Sequence, residues 1–511
     1  MNICLLNDSF PPVIDGVANV VLNYAKILTN THNAGVVVGT PKYPDVDYSG
    51  YPYKVVPYKS LDTTDFIAGY RTGNPLAMRE IMEMADTKPD IIHTHCPASS
   101  TIMARILQNE TEAPIVFTYH TKFDVDIARA VGDGFLKQET IKAMVSNISA
   151  CDEVWVVSQG AGENLKSLGY EGEYRVMNNG VDFPKGTVAE EDVQKVTGEY
   201  DLPEGVPMYL FVGRMMKYKG LPLIVDAMAR LSEKGVDYRM VFVGGGADAA
   251  EIQEQAKSAG IAVDIRNEDG TVTSFEGASG KTGKILFMGA EHDREKLRAW
   301  NTRADLFLFP SVYDTNGIVV REAAACGLGS VLIKDSCAAE GITHGRNGYL
   351  IEETAESMAE LLASTASDLG AMHDVGIHAM DEIYISWDDA VKTAYDRYGE
   401  ILDMVADGRL VRRKKHSSDY ILETTSGIIK GTEEVFDIPK NIVYGMKDNY
   451  HEFKNDFMED WEDFREGWEG FKDDLHDLKH KIPNGVREFG ENAKEFQENV
   501  KEAIKDGLNI E

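Results

Sequence analysis

The chain has 511 residues, 43% of them hydrophobic and 27% charged, an ordinary balance for a globular protein long enough for about three units with cores of their own. Its 84 acidic and 52 basic side chains leave a net charge of −32, which argues against a nucleic-acid binder, because phosphate backbones demand a basic surface. An anionic small ligand is still allowed, since it needs only a local positive pocket.

The elements alternate. Residues 3–6 form a short apolar run of the kind buried on both faces of a sheet, followed by the loop SFPPVIDG and a helical pattern over 17–28. Strands are expected at 34–38, 91–93, 115–118 and 153–157, with helices at 75–85, 99–107 and 141–149 between them. The polar stretch 184–205, with Pro and Gly, breaks the series. A second series follows, with strands at 208–212, 239–243, 285–287, 306–309 and 330–333. Its helices are expected at 221–234, 249–260, 294–301 and 317–326. Residues 262–283 read as a loop or small hairpin insertion, and 386–405 as one helix closing the second half. Alternating strands and helices imply parallel sheets covered on both sides. The expected fold is α/β, with two Rossmann-like domains at 1–190 and 191–404.

Residues 405–416 form a basic linker containing RLVRRKKH, and 417–511 an acidic tail with 24 acidic and 12 basic side chains. In the tail, Phe453, Phe457, Trp461, Phe464, Trp468, Phe471, Leu475, Leu478 and Ile482 recur at steps of three and four, which places them on one helical stripe. Pro483 and Gly485 interrupt it, and Val486, Phe489, Ala493, Phe496 and Val500 resume it. Helices that lie in a membrane interface carry Lys and Arg on the polar face, whereas this polar face is acidic. Packing on protein, including self-association, is therefore favoured over insertion.

Cys4, Cys96, Cys151, Cys326 and Cys337 are scattered without a CxxC pair, so neither a zinc site nor a disulfide frame is expected. A reducing, cytoplasmic setting follows. The opening MNICLLND lacks the regions of a signal peptide, and no run approaches the ~20 apolar residues of a membrane span. Membrane contact is expected to be peripheral at most.

Four strand-end segments carry candidate chemistry. VGRMMKYKG at 212–220 brings Arg214 and Lys219 to the carboxyl edge of a parallel sheet, where ligands bind and two cations can grip a diphosphate. FPSVYDTNGIVVREAAACG at 309–327 places Asn316, Gly317, Ile318 and Val319 at a helix start, an anion site by virtue of free N–H groups and the helix dipole. Asp314 before that helix and Glu322 within it can accept hydrogen bonds from sugar hydroxyls. VFTYHTKFD at 116–124 contributes His120, and NDSFPPVIDGVANV at 7–20 contributes Gly16 at a helix start. Taken singly, each has an ordinary alternative. Arg214 and Lys219 suit a solvated loop, Asp314 a helix cap and Glu322 a surface helix position. His120 suits a satisfied structural histidine and Gly16 a plain turn.

Together with KPDIIHTHCP, NNGVDF and VFVGGG, these segments over residues 1–404 resemble the retaining glycosyltransferases of family four, of the GT-B fold with two facing Rossmann-like domains. Bacterial diacylglycerol glucosyltransferases and phosphatidylinositol mannosyltransferases belong to that group. The resemblance implies that Arg214 and Lys219 hold the donor diphosphate and stabilise the leaving group. It gives Asp314 hydroxyls of the transferred sugar, residues 316–319 the diphosphate through backbone N–H groups, and Glu322 the nucleotide ribose. His120 lines the catalytic centre, and Gly16 lets the first loop approach the donor phosphate and the acceptor. Asp314 stands where Glu is commoner, and its shorter reach changes the sugar contact. The implied reaction moves a hexose from a nucleotide sugar, UDP-glucose first, to a lipid hydroxyl such as that of diacylglycerol, with no metal or other cofactor. A non-lipid or polysaccharide acceptor is the alternative within enzymes, and an inactive sugar-nucleotide-binding scaffold the alternative of another class.

Overall fold

Apolar runs rich in Val, Ile, Leu and Phe build two parallel sheets in the structure, a computed structural model that describes residues 1–13, 15–62, 71–124, 127 and 135–410. Residues Met1–Arg413 form one compact unit. The second unit, Lys414–Glu511, falls outside the described residues, as do the basic cluster from 411 onward and the whole expected tail.

In the first half the strands are β1 Asn2–Leu6, β2 Gly35–Pro41, β3 Lys54–Tyr58, β4 Ser60–Asp62, β5 Arg71–Gly73, β6 Ile91–Thr94, β7 Ile115–Tyr119, β8 Glu153–Val156 and β9 Arg175–Val176. Seven of them form a parallel sheet in the order β3-β2-β1-β6-β7-β8-β9, and β4 and β5 pair as a separate antiparallel ribbon. In the second half β10 Met208–Val212, β11 Arg239–Val243, β12 Ala262–Arg266, β13 Val272–Phe275, β14 Lys284–Phe287, β15 Leu306–Phe309, β16 Ser330–Ile333 and β17 Tyr349–Ile351 form one sheet. Its order is β13-β12-β14-β11-β10-β15-β16-β17, parallel except for β12 against β13. The expected insertion at 262–283 is thus a hairpin whose first strand extends the parallel sheet. Strand order reverses between β1 and β6 in one sheet and between β10 and β15 in the other. The crevice at such a reversal is where open α/β sheets hold ligands.

The final helix, Trp387–Ala406, departs from expectation. It does not close the second half. Its apolar stripe of Trp387, Val391, Ala394, Tyr398 and Ile401, at steps of four and three, is buried with Ile3, Val20, Tyr24, Leu28 and Trp155 in the core of the first. Side chains such as Val391 and Ile401 each contribute about 1.5–3 kcal/mol by leaving water. Trp155 stacks on Tyr398 with ring centroids 5.3 Å apart, and Arg397 grips Glu153 through Nε and Nη2 at 2.9 and 2.5 Å. The chain therefore crosses between the halves twice, and the two crossings run side by side: Val181 N–H donates to Ile385 C=O at 3.0 Å. Among the described residues no helix is long and apolar enough to cross a membrane.

Candidate active site

The site lies where the carboxyl ends of the two sheets meet. From the second half come the loops after β10 and β15. Gly220 (φ +80°) ends the first of these, and a Cβ there would lie 2.3 Å from the carbonyl oxygen of Pro310 in the second. Only glycine allows the two loops this close. The approach brings Lys219 and Asp314 together: Lys219 Nζ is 3.1 and 3.2 Å from the two carboxylate oxygens. Ser311 Oγ donates to Asp314 Oδ2 at 2.7 Å. The ammonium also lies 5.3 Å from the centre of the Phe309 ring. Arg214 is exposed on the same loop, with Nη2 3.2 Å from Tyr218 Oη.

Gly317 (φ +55°, ψ +49°) is the N-cap of the helix Ile318–Ala325, and no side chain caps that end. Ile318 and Val319 supply its first N–H groups, which carry the positive end of the helix dipole. Asn316 beside it is 8% exposed, and neither its Oδ1 nor its Nδ2 has a protein partner. A buried amide with both ends unpaired is costly unless a ligand completes it. Glu322, further along the helix, is largely buried and holds Arg294 Nη2 at 2.6 Å. Burial raises its proton affinity and Arg294 opposes the shift.

The first half supplies His120, just beyond β7. Its backbone carbonyl accepts a hydrogen bond from Thr315 Oγ1 at 2.5 Å, so the histidine and the Asp314–Gly317 turn are tied across the crevice. Lys122 Nζ reaches Val312 C=O at 3.2 Å, and Ser158 Oγ donates to Thr315 C=O. Glu340 adds a further tie. Its carboxylate accepts from the N–H groups of Gln159 and Gly160 at 2.7 and 2.6 Å, at the start of the helix Gln159–Ser167. Burial drives the pKa of His120 down to about 3, partly opposed by the Asp15 carboxylate, so the imidazole is neutral. Gly16, next to Asp15, begins the helix Gly16–Asn30, and a side chain there would project into open space.

The structure thus gathers Lys219, Asp314, Asn316, Gly317 and His120 at one junction. Arg214 flanks it, Glu322 is engaged by Arg294, and Gly16 stands on the first helix. His93, His95, Thr315, Ser158 and Glu340 were not singled out by sequence. For the two histidines a signal existed: HTH on a strand puts both rings on one face. The others are ordinary polar residues whose partners lie far along the chain.

Residues 206–368 match the family Glycosyl transferases group 1, and residues 14–184 match Glycosyltransferase Family 4. The alpha-monoglucosyldiacylglycerol synthase of Streptococcus pneumoniae is 22% identical over 480 residues, 88% of this chain and 99% of that protein. Sulfoquinovosyl transferase SQD2 of Arabidopsis thaliana is 27% identical over 329 residues, 62% of this chain but only 56% of that protein. Among solved structures, Anabaena HepE in complex with UDP superposes with a TM-score of 0.59 at 16% identity, covering 78% of this chain and 100% of that one. Sucrose-phosphate synthase of Thermosynechococcus elongatus gives 0.59 at 18% identity, covering 79% and 99%. The two sheets and their facing crevice are those of the GT-B fold, and the chain belongs to the family-four glycosyltransferases and is a hexosyltransferase.

Proposed function

We propose that the enzyme transfers glucose from UDP-glucose to the hydroxyl of a lipid such as diacylglycerol, with retention of anomeric configuration and without a metal ion. The observation that carries the donor part is the junction of Lys219, Asp314 and the uncapped helix start at Gly317. In this reading the donor diphosphate lies against Lys219, Arg214 and the N–H groups of residues 316–319. Those groups stabilise negative charge as it builds on the departing diphosphate, the task a metal ion would otherwise perform. Asp314 then exchanges Lys219 for a sugar hydroxyl, and Glu322 takes the ribose. Neutral His120 hydrogen-bonds the transferred sugar. Departure of the diphosphate leaves an oxocarbenium-like sugar. The acceptor attacks from the face just vacated, and the leaving phosphate takes its proton.

The names of the similar alpha-monoglucosyldiacylglycerol synthases support glucose, an α-linked product and a lipid acceptor, and HepE has been seen with UDP and with UDP-glucose. Peripheral contact with anionic lipid is assigned to the basic cluster at 409–416, worth roughly 1 kcal/mol per basic residue near a surface. The test is incubation of the full chain with labelled nucleotide sugars and total membrane lipid, with and without chelator. A lipid that gains one hexose from UDP-glucose, read by mass spectrometry, supports the proposal. Transfer only to soluble glycans, or a strict need for Mg²⁺ or Mn²⁺, overturns it. Co-sedimentation with anionic but not neutral vesicles tests the membrane contact.

A further inference from the structure

The proposed chemistry uses one histidine, yet three are packed in series. The ring centroids of His93 and His95 are 4.0 Å apart, and those of His95 and His120 are 5.2 Å apart with planes 22° from parallel. The first ring is anchored at both nitrogens: Nδ1 lies 2.6 Å from Tyr398 Oη on the final helix, and Nε2 lies 2.7 Å from Thr118 Oγ1. His95 Nδ1 and His120 Nε2 are 2.9 Å apart. The three side chains are 0%, 2% and 7% exposed. His95 Nε2 and His120 Nδ1 are buried and have no protein partner.

A neutral imidazole has one donor nitrogen and one acceptor nitrogen. The contact between His95 and His120 therefore has two arrangements. If His95 donates from Nδ1, His120 accepts at Nε2 and carries its proton on Nδ1. If His120 donates from Nε2, His95 accepts at Nδ1 and carries its proton on Nε2. In both cases the two rings share one tautomer, and Nδ1 of His120 is left as a single kind of hydrogen-bonding group. Burial disfavours the imidazolium in all three rings, so the pair does not escape by protonation.

We infer that His95 is a positioning residue: it fixes the ring plane and tautomer of His120, so that His120 Nδ1 meets the transferred sugar in one defined state. The inference rests on the placement of His120 at the sugar. The wild-type protein provides a test that needs no substrate. In protein labelled with ¹⁵N-histidine, long-range ¹H–¹⁵N spectra are expected to show His95 and His120 in the same single tautomer from pH 6 to 8. Opposite tautomers, or shifts averaged between tautomers, overturn the inference even if the donor and acceptor are correctly identified.

Turnover gives the second test. His95→Phe keeps a ring but loses the nitrogen, and kcat is expected to fall about 10- to 100-fold, as for other imidazoles robbed of an orienting partner, with donor KM little changed. His95→Asn keeps a polar atom near the place of Nδ1 and is expected to recover most of the loss. A purely packing role predicts no such rescue. Wild-type kcat in His95→Phe, or His95→Asn no faster than His95→Phe at equal melting temperature, overturns the assignment. Should His95→Phe fail to fold, His95→Asn and the tautomer spectra decide.

Discussion

Lys219 and Asp314, 95 residues apart in the chain, form an ion pair at 3.1 Å in which the lysine is 11% exposed and the aspartate 27%. Under the proposed function, a diphosphate brought to this place would compete with Asp314 for the ammonium and release the carboxylate towards the sugar. Lys219→Ala and Arg214→Ala are each expected to lower kcat/KM by about 10²- to 10³-fold, the range for losing one group that stabilises developing charge. Neither change should unfold the protein: Arg214 is exposed, and Asp314 keeps the Ser311 hydroxyl when the Lys219 ammonium is lost. Steady-state kinetics beside circular dichroism checks this, and wild-type rates from either variant would remove the donor-site assignment.

Asn316 has the opposite balance of stability and function. Its amide is buried, and no protein group satisfies either end. Asn316→Ala removes an unsatisfied group, so thermal stability is expected to be unchanged or to rise by up to about 1 kcal/mol. Donor KM should rise several-fold. A clear loss of melting temperature would mean that the amide has a structural partner.

Much of the frame was legible because buried parallel strands are continuous apolar runs, and β1, β10 and β15 stand out as such. The candidate site was legible wherever its residues belong to one loop, as Arg214 with Lys219 or Asp314 with Asn316. Strand β3 escaped because Lys54–Tyr58 is only partly buried and carries Pro57, and β17 because the three residues Tyr349–Ile351 are too few to show a pattern. The allegiance of Trp387–Ala406 was not legible: its apolar stripe declares a buried face but cannot say which sheet it covers. Pairings across the crevice, such as Thr315 with His120, join residues 195 positions apart and leave no local pattern.

Glu340 binds the N–H groups of Gln159 and Gly160 from the opposite half. The carboxylate sits at a helix start, where the dipole favours negative charge. Closure of two domains keeps water from the reacting sugar. Glu340→Ala is therefore expected to lower transfer several-fold and to raise the share of donor lost to hydrolysis. The ratio of free hexose to transferred hexose measures it. An unchanged ratio at reduced turnover would show that the tie does not govern water access.

Ile401 is fully buried on the final helix, in the core of the first half. Ile401→Ala is expected to cost about 2–5 kcal/mol of stability, the range for a large core truncation. Because the helix belongs to the first half, amide exchange should quicken in β1 and β6 and change less in β14. Denaturant titration and hydrogen exchange check the two parts, and faster exchange confined to the second half would contradict the assignment.

The buried histidines also set a pH dependence. His120 has its pKa depressed to about 3 against an ordinary 6.5, so unfolding below 6.5 takes up a proton that the native ring refuses. Its stabilising share is present above pH 6.5 and is lost as pH falls from 6.5 towards 3. The slope is about 1.4 kcal/mol per pH unit for one such group. Other groups act with the opposite sign, among them Glu322, whose pKa burial raises. Asp8 is raised to about 6 by burial, and its share is present below pH 3.8 and lost as pH rises through 6. His373 is raised by its hydrogen bond to Asp305, so its share is present below 6.5 and lost as pH rises above it. Total stability against pH thus mixes signs, whereas the difference between wild type and His120→Gln cancels groups remote from the ring, and burial, the largest cause, holds His93 and His95 well below 6.5 with or without His120. That difference is expected to be flat above pH 6.5. Below it, the variant should gain on the wild type by about 1.4 kcal/mol per pH unit. Denaturant midpoints at pH 7.5, 6.5 and 5.5 measure it, and a difference independent of pH would show that His120 titrates alike in the native and unfolded chains.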